Sequence, residues 1–167
     1  MNLYIIRHAI AVEPGTPGFE EDSQRSLTEK GVKKMRSIAS GLRAFDVKLD
    51  LILSSPYLRA SQTAEILAKE FNLQEKLAYS ENLIPMGNPD NLIGEINEKY
   101  SVDSLAIVGH EPTLSSLIST LLVGSPTISI NMKKGGVCCL ALDDLRLERS
   151  ATLEWLLTPA QLIKLVE

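Results

Sequence analysis

The chain has 167 residues, of which 44% are hydrophobic and 23% are charged, and its net charge is −4. This length predicts a single domain over residues 1–167 with a substantial core, and the composition is typical of a globular protein. The acidic balance argues against nucleic acid or an anionic membrane surface as the main partner.

The first residues lack the basic leader of a secretory signal peptide, and their apolar run is interrupted by Arg7 and His8. No apolar run approaches the roughly 18 residues that a membrane helix requires. We therefore expect a cytoplasmic protein with no membrane partner. The adjacent Cys138 and Cys139 would point to opposite faces of a strand, which predicts free core thiols. Two distant histidines and one cysteine pair match no familiar ligand spacing, so we expect neither a metal nor a cofactor.

Segments with strand patterns alternate along the chain with segments of helical periodicity. In chain order, the pattern predicts a strand at 3–8, a surface loop at 13–26, a helix at 28–45, a strand at 50–55, a helix at 56–71, a short strand at 76–83, a helix at 88–100, a strand at 104–110, a helix at 111–122, two strands that could pair at 135–143 and 151–158, and a short terminal helix starting at 158–159. Thr28 is a plausible cap for the first helix, and Asn88-Pro89 is a cap-then-proline start for the third.

This alternation predicts an α/β fold, a three-layer α/β/α sandwich with a mostly parallel sheet. In such sheets, ligands bind beyond the carboxyl ends of the strands. Arg7 and His8 end the first strand, Arg59 lies one turn into the helix that follows the second, and His110 ends the strand at 104–110. All four basic side chains are therefore expected at one edge of the sheet.

Two guanidiniums, two imidazoles and nearby helix N-termini form a pocket suited to a compact dianion, above all a phosphoryl group. A neutral imidazole in that pocket can also accept the phosphoryl group as a nucleophile. Each of these residues taken singly is more often structural than catalytic. Their convergence on one edge favours phosphoryl-transfer chemistry that needs no metal.

Three segments resemble the signatures of one known family. "LYIIRHAIA" looks like the Arg-His-Gly signature of the histidine phosphatase (phosphoglycerate mutase-like) superfamily, "LILSSPYLRASQTAEIL" is similar to its Ser-Ser-Pro-x-x-Arg-x-x-x-Thr-Ala motif, and "AIVGHEPTL" resembles its third motif. The short chain, together with "DSQRSLTEKG" and "WLLTPAQL", points to the SixA-type phosphohistidine phosphatases. The matches follow the family's order across nearly the whole chain.

The resemblance implies roles for individual residues. His8 becomes the nucleophile that accepts the phosphoryl group, Arg7 and Arg59 become phosphate clamps, and His110 becomes the second pocket histidine. Arg25, as a substrate-binding residue, and Asp22 match positions near the rim of the site. Thr63 is expected to pack or cap rather than to bind.

Two positions depart from the family pattern. Ala9 stands where the superfamily usually has glycine, and we expect it to keep a negative φ outside the phosphate site. The second departure concerns the carboxylic acid that, in many members of the family, protonates an alcohol leaving group. Glu81 is the nearest candidate, although an alignment on Pro85 places Asn82 there, and Glu13 is an alternative.

The sequence thus gives only a weak indication of a general acid. This fits a phosphohistidine substrate, because imidazole leaves more readily than an alkoxide. The leading interpretation is a metal-independent phosphatase with an open, shallow pocket that hydrolyses phosphohistidine on a partner protein, such as a histidine-containing phosphotransfer domain of two-component signalling. The alternatives are a phosphomonoesterase acting on a small metabolite and, from another class, a non-catalytic phosphate-binding module. A glycolytic-type mutase is less favoured, and we expect a monomer.

Overall fold

The computed structural model describes residues 1–167 and contains one six-stranded sheet. Its strands are β1 (Asn2–Arg7), β2 (Leu51–Ser54), β3 (Leu77–Tyr79), β4 (Ser104–Gly109), β5 (Val137–Leu142) and β6 (Ala151–Leu157). Their order across the sheet is β3-β2-β4-β1-β5-β6. β1 to β4 form parallel pairs, whereas β5 runs antiparallel to both β1 and β6. The predicted α/β sandwich with a mostly parallel sheet is confirmed, as is the pairing of the last two strands.

Five helices cover the two faces of the sheet. They are α1 (Glu29–Ala44), α2 (Leu58–Phe71), α3 (Pro89–Lys99), α4 (Thr113–Val123) and α5 (Pro159–Ile163). Apolar residues of α1, α2 and α5 form one core with Tyr4 and Ile6 of β1, while those of α3 and α4 form a second core with Leu3 and Ile5. Alternate residues of a strand point to opposite faces, so a continuous apolar run such as 3–6 has to be covered on both sides.

The strand register brings the predicted site residues to one edge. Arg7 pairs with Gly109, and Ser54 pairs with Val108, so β1, β2 and β4 end at nearly the same level. The chain then leaves the sheet at His8, Ser55 and His110. The convergence expected from the topology rule is therefore observed.

The segment predicted as a strand at 76–83 is only partly one. β3 ends at Tyr79, and residues Glu81–Leu83 form one turn of 3-10 helix. The Ser80 hydroxyl accepts from the backbone N–H of Asn82 and lies 2.5 Å from a carboxylate oxygen of Glu95 on α3. These side-chain contacts compete with the ladder and turn the chain away from the sheet.

Other local expectations are borne out. Thr28 and Asn88 cap α1 and α3 through their side chains. Cys138 and Cys139 are buried free thiols on β5. The predicted loop at 13–26 is irregular except for a 3-10 turn at Asp22–Gln24. None of the helices is both long and apolar enough to cross a membrane.

Gly31 allows α1 to approach the chain that leaves β1. Thr28 N–H donates to Ile10 O at 3.0 Å, and a Cβ on Gly31 would overlap that same carbonyl group. The glycine is therefore required by space rather than by its backbone conformation, because residue 31 lies within a regular helix.

We expect Gly31→Ala to lower the free energy of unfolding by roughly 2–3 kcal/mol, because a fixed backbone group cannot yield to the added methyl. Gly94→Ala on α3 is the control: nothing lies within 4 Å of its Cβ position. Higher helix propensity should raise its stability by about 0.5–1 kcal/mol. Urea unfolding measures both effects, and equal stability of the two variants would contradict this account of the α1 contact.

Candidate active site

A cavity of about 270 Å³ lies at the carboxyl edge of the sheet. Its lining contains all of the residues assigned to catalysis or to substrate binding except Glu81. The lining residues are Arg7, His8, Glu13, Pro14, Asp22, Arg25, Arg59, Pro85, His110, Glu111 and Lys134. The cavity thus gathers four cationic side chains, three carboxylates and both histidines of the chain.

His8 presents one particular ring nitrogen to this cavity. Its Nδ1 lies 2.8 Å from the backbone oxygen of Ala9, and a carbonyl oxygen can only accept, so Nδ1 carries the ring proton. Nε2 is left with a lone pair, which accepts from Arg59 Nε at 3.3 Å. The side chain is 7% exposed. His8 is therefore held as the tautomer in which Nε2 carries no proton.

The guanidinium of Arg59 is fixed from its far side by Asp22. Its Nη1 donates to Asp22 O at 2.7 Å, and its Nη2 donates to Asp22 Oδ2 at 3.0 Å. Arg25 Nε in turn donates to Asp22 Oδ1 at 2.8 Å, and Arg25 Nη1 donates to Val12 O. Asp22 thereby positions the Arg59 Nε–H against His8. These hydrogen bonds also fasten the 13–26 loop to the rim of the cavity.

Arg7 is held by the segment that enters β5. Its Nη1 donates to Met132 O at 2.7 Å, and Gly135 N–H contacts the carbonyl oxygens of Arg7 and His8. Gly135 has φ +82°, a backbone conformation that residues with a side chain rarely adopt. The turn at this glycine allows the chain to close around the end of β1.

His110 is oriented by Ser55. Its Nε2 lies 2.8 Å from Ser55 Oγ, which also accepts the N–H of Tyr57. With the Ser55 hydroxyl as the donor to His110 Nε2, the ring proton of His110 lies on Nδ1. The Tyr57 ring meets the imidazole edge-on at 5.5 Å, and the rings of His8 and His110 are 5.2 Å apart.

Two buried nitrogens at this edge have no hydrogen-bond partner. They are Arg7 Nε and His110 Nδ1, and they are the only buried side-chain nitrogen or oxygen atoms of the chain in that condition. Buried polar groups are normally paired, and an orphaned one calls for an explanation. Both belong to side chains that line the cavity, so this edge holds hydrogen-bonding capacity that the chain itself does not satisfy.

Burial sets the charge state of the two imidazoles. Loss of hydration is the main cause that lowers the pKa of His8 to about 4; the bond to Ala9 O opposes it, and the Arg59 and Arg7 guanidiniums add to it. The same cause, followed by the charge of Arg59, lowers the pKa of His110 to about 3. Both rings are therefore neutral at pH 7, as a nucleophilic imidazole must be.

The three carboxylates that line the cavity differ in how firmly they are held. Partial burial raises the pKa of Asp22, but hydrogen bonds from Arg25 and Arg59 outweigh it and lower the pKa overall. Glu111 accepts from the N–H and hydroxyl of Ser115. Glu13 is 78% exposed, and its one ion pair, with Lys134, spans 3.9 Å. Glu13 is thus the carboxylate with the greatest freedom to move.

The structure does not bring Glu81 into this cavity. Glu81 is exposed and lines a separate cleft beside α3, together with Asn82 and Glu95. Glu81 is the first residue of the short 3-10 turn that follows β3. The suggested general-acid role of Glu81 therefore has no geometric support, whereas the alternative, Glu13, lies at the cavity.

Ala9 and Thr63 have the structural roles expected of them. Ala9 is not among the residues with positive φ, is 2% exposed and does not line the cavity. Its N–H donates to Thr63 Oγ1 at 3.0 Å, and that hydroxyl donates to Arg59 O at 2.7 Å. Thr63 thus ties the end of β1 to α2 without contacting the cavity.

Sequence reasoning missed the contribution of the 132–136 segment, including Lys134. Lys133 and Lys134 are followed by two glycines and then by β5. Because β5 is antiparallel to β1, its start lies at the edge where β1 ends. The Lys-Lys-Gly-Gly turn was a usable signal, but only once the direction of β5 was known.

We expect both histidine rings to remain neutral at pH 6, where a free histidine is about three-quarters protonated. The chain has only two histidines, so ¹⁵N-labelled imidazole NMR resolves them directly. Nδ1 of His8 should carry the proton. Because the unfolded chain takes up these protons near pH 6.5 and the folded chain does so near 4 and 3, the free energy of unfolding should fall as pH drops below 6.5. A ring that titrates near 6.5 would contradict the buried geometry.

Comparison with known proteins agrees with this geometry. The model of the histidine phosphatase superfamily (branch 1) matches residues 3–86. The phosphohistidine phosphatase SixA of Escherichia coli is 26% identical over 97% of this chain and 96% of its own, and an uncharacterized protein of Picosynechococcus is 33% identical over 82% of each chain. The solved structure of the protein histidine phosphatase SixA with tungstate superposes with a TM-score of 0.77 at 27% identity, covering 97% of this chain and 99% of that one. The chain belongs to the histidine phosphatase superfamily and, within it, to the SixA-type phosphatases.

Proposed function

We propose that this phosphatase hydrolyses phosphohistidine on a partner protein, through a covalent phosphohistidine on His8 and without a metal ion. The observation that carries the proposal is the state of His8. Its Nε2 is unprotonated, and His8 lines a cavity together with Arg7 and His110, the two side chains that each carry a buried nitrogen without a partner. A SixA relative was solved in complex with tungstate, a tetrahedral oxyanion like phosphate, which supports a phosphoryl group as the ligand.

In the first step, the lone pair of His8 Nε2 forms a bond to phosphorus while the bond from phosphorus to the substrate imidazole breaks. The donors of Arg7, Arg59 and His110 stabilise the equatorial oxygens, where the negative charge is spread. If the other nitrogen of the substrate ring already carries a proton, the ring departs as neutral imidazole. This step then balances without a general acid.

In the second step, water attacks the phosphorus of phospho-His8. The bond between phosphorus and Nε2 breaks, and its electron pair returns to the ring. The products are dihydrogen phosphate and neutral His8, with Nδ1 still protonated against Ala9 O. Both protons of the water leave with the phosphate, so the enzyme recovers its initial protonation state.

The choice of a protein substrate rests on the rim of the cavity. Asp22 and Glu13 are about half and more than three-quarters exposed, so the side chains around the opening face solvent. A phosphohistidine on a folded protein needs such access, whereas a small metabolite binds more tightly in an enclosed site.

One observation favours a phosphomonoesterase of small metabolites as the second candidate. An alkoxide leaving group needs a proton, and Glu13 is an exposed carboxylate at the cavity. Its exposed side chain at the cavity would allow a protonated Glu13 to reach an ester oxygen.

Turnover of separate substrates distinguishes these functions. The protein should release phosphate from a phosphohistidine carrier domain and, more slowly, from an aryl phosphate, both in the presence of a chelator. Turnover of sugar phosphates but not of the carrier would favour the esterase, and binding without turnover would favour a non-catalytic module. Activity lost to the chelator would contradict metal independence.

His8→Ala should reduce turnover of the carrier at least about 10³-fold, because the nucleophile is removed. Added imidazole should restore part of the activity by taking the place of the missing ring. Thermal unfolding of the variant checks that it remains folded. Unchanged turnover in a folded His8→Ala variant would overturn the covalent mechanism.

Glu13→Gln and Glu81→Gln form a matched pair. We expect neither to change turnover of the carrier by more than about twofold, because imidazole leaves without a general acid. Glu13→Gln alone should slow hydrolysis of an alkyl phosphate and shift the limb of its pH–rate profile that reports the acid. An equal loss of alkyl phosphate hydrolysis in both variants would show that position at the cavity does not determine which carboxylate is the general acid.

A further inference from the structure

The turn at residues 84–87 places a large apolar side chain in an unfavourable backbone conformation. Gly87 N–H donates to Ile84 O at 2.9 Å, Pro85 is the second residue of the turn, and Met86 is the third, with φ +63°. This is the type II pattern, whose third position normally takes glycine or asparagine. Methionine carries the Cβ that glycine lacks, and it does not have the short polar side chain that lets asparagine adopt this conformation.

Met86 is also 83% exposed, whereas every other exposed large hydrophobic residue lies between 38% and 47%. An exposed methionine gains nothing from burial in the isolated chain, and its positive φ costs energy. Both unfavourable features occur at one residue. They are explained if another surface covers this side chain during function.

The turn is held firmly where it stands. A Cβ on Gly87 would overlap Asn82 O, so the two backbone segments are in direct contact. The side chains of Ser80 and Asn82 both bind Glu95 of α3, which anchors the chain that leads into the turn. Met86 is therefore presented on a fixed support rather than on a loose loop.

The turn lies at the mouth of the catalytic cavity, because Pro85 is one of its lining residues. The volume of about 270 Å³ accommodates a phosphoryl group and the imidazole attached to it, but not the polypeptide that carries them. While the cationic side chains of the cavity hold the phosphoryl group, the surface around the phosphohistidine must rest on the rim. Met86, next in the chain to Pro85, then lies beside that surface.

We propose that Pro85 and Met86 form a docking contact for the protein that carries the phosphohistidine, with Met86 packing against apolar side chains beside the phosphorylated residue. This inference rests on the proposed function, since it takes the occupant to be a phosphohistidine protein. Methionine suits the role because its flexible thioether adapts to irregular apolar surfaces. A small aryl phosphate would enter the cavity without touching this contact.

Met86→Asn tests the proposal, because asparagine tolerates the positive φ and removes the apolar side chain. We expect kcat/KM for a phosphohistidine carrier domain to fall at least fivefold, mainly through KM, while kcat/KM for the aryl phosphate stays within twofold. The melting temperature should be unchanged or higher. Met86→Leu, which keeps an apolar side chain, should retain most of the activity on the carrier.

Leu153→Thr is the control for loss of an exposed apolar side chain. Leu153 is 47% exposed on β6 and pairs with Leu140, which is level with Leu3 at the end of β1 opposite to His8. We expect this variant to leave turnover of both substrates unchanged.

Unchanged turnover of the carrier by Met86→Asn would overturn the docking contact and leave the proposed function intact. An equal loss on the carrier and on the aryl phosphate would also overturn it, because the residue would then act on the cavity itself. If the unsubstituted protein does not turn over the carrier at all, the proposed function fails, which is a separate result.

Discussion

The hydrogen bond from Arg59 to His8 Nε2 depends on a balance between burial and charge. A guanidinium at 3.3 Å from an imidazole can coexist with it only while the ring is neutral, and burial keeps it neutral by lowering its pKa to about 4. Asp22 supplies the opposite charge that partly offsets the burial of Arg59 and holds its guanidinium in position. The catalytic geometry thus depends on a three-residue arrangement drawn from a strand, a helix and a loop.

The topology makes this arrangement available. Parallel strands β1, β2 and β4 end together, so their following residues meet at one edge. The antiparallel strand β5 begins at the same edge and contributes the turn that holds Arg7. A sheet that was parallel throughout would place the start of β5 at the opposite end.

The cavity has several cationic side chains that can bind an anion, but few carboxylates that are free to supply a proton. Asp22 and Glu111 are engaged by hydrogen bonds, and only Glu13 is free to approach a leaving group. This distribution favours a substrate whose leaving group departs without a new proton.

The sequence by itself determined the chain's fold class and the edge at which its chemistry lies. The alternation of strand and helix patterns predicted the sandwich, and Arg7, His8, Arg59 and His110 each follow or end a strand in a way that directs them to one edge. These features are local, since they depend on periodicity and on where an apolar run stops. Gly31 ends the segment "DSQRSLTEKG", one of the segments that resemble the family. The reason that a glycine is needed there is contact with the Ile10 carbonyl, which is a tertiary contact.

Only the tertiary structure decided which carboxylate lies at the cavity. Glu13 and Glu81 are both candidates for the general acid from the sequence, yet Glu81 lies in the 3-10 turn after β3 and lines another cleft. The structure likewise decided the tautomer of His8, the role of Asp22 and the contribution of Lys134. Each of these depends on contacts between segments that are distant in the chain, and periodicity along one segment carries no information about them.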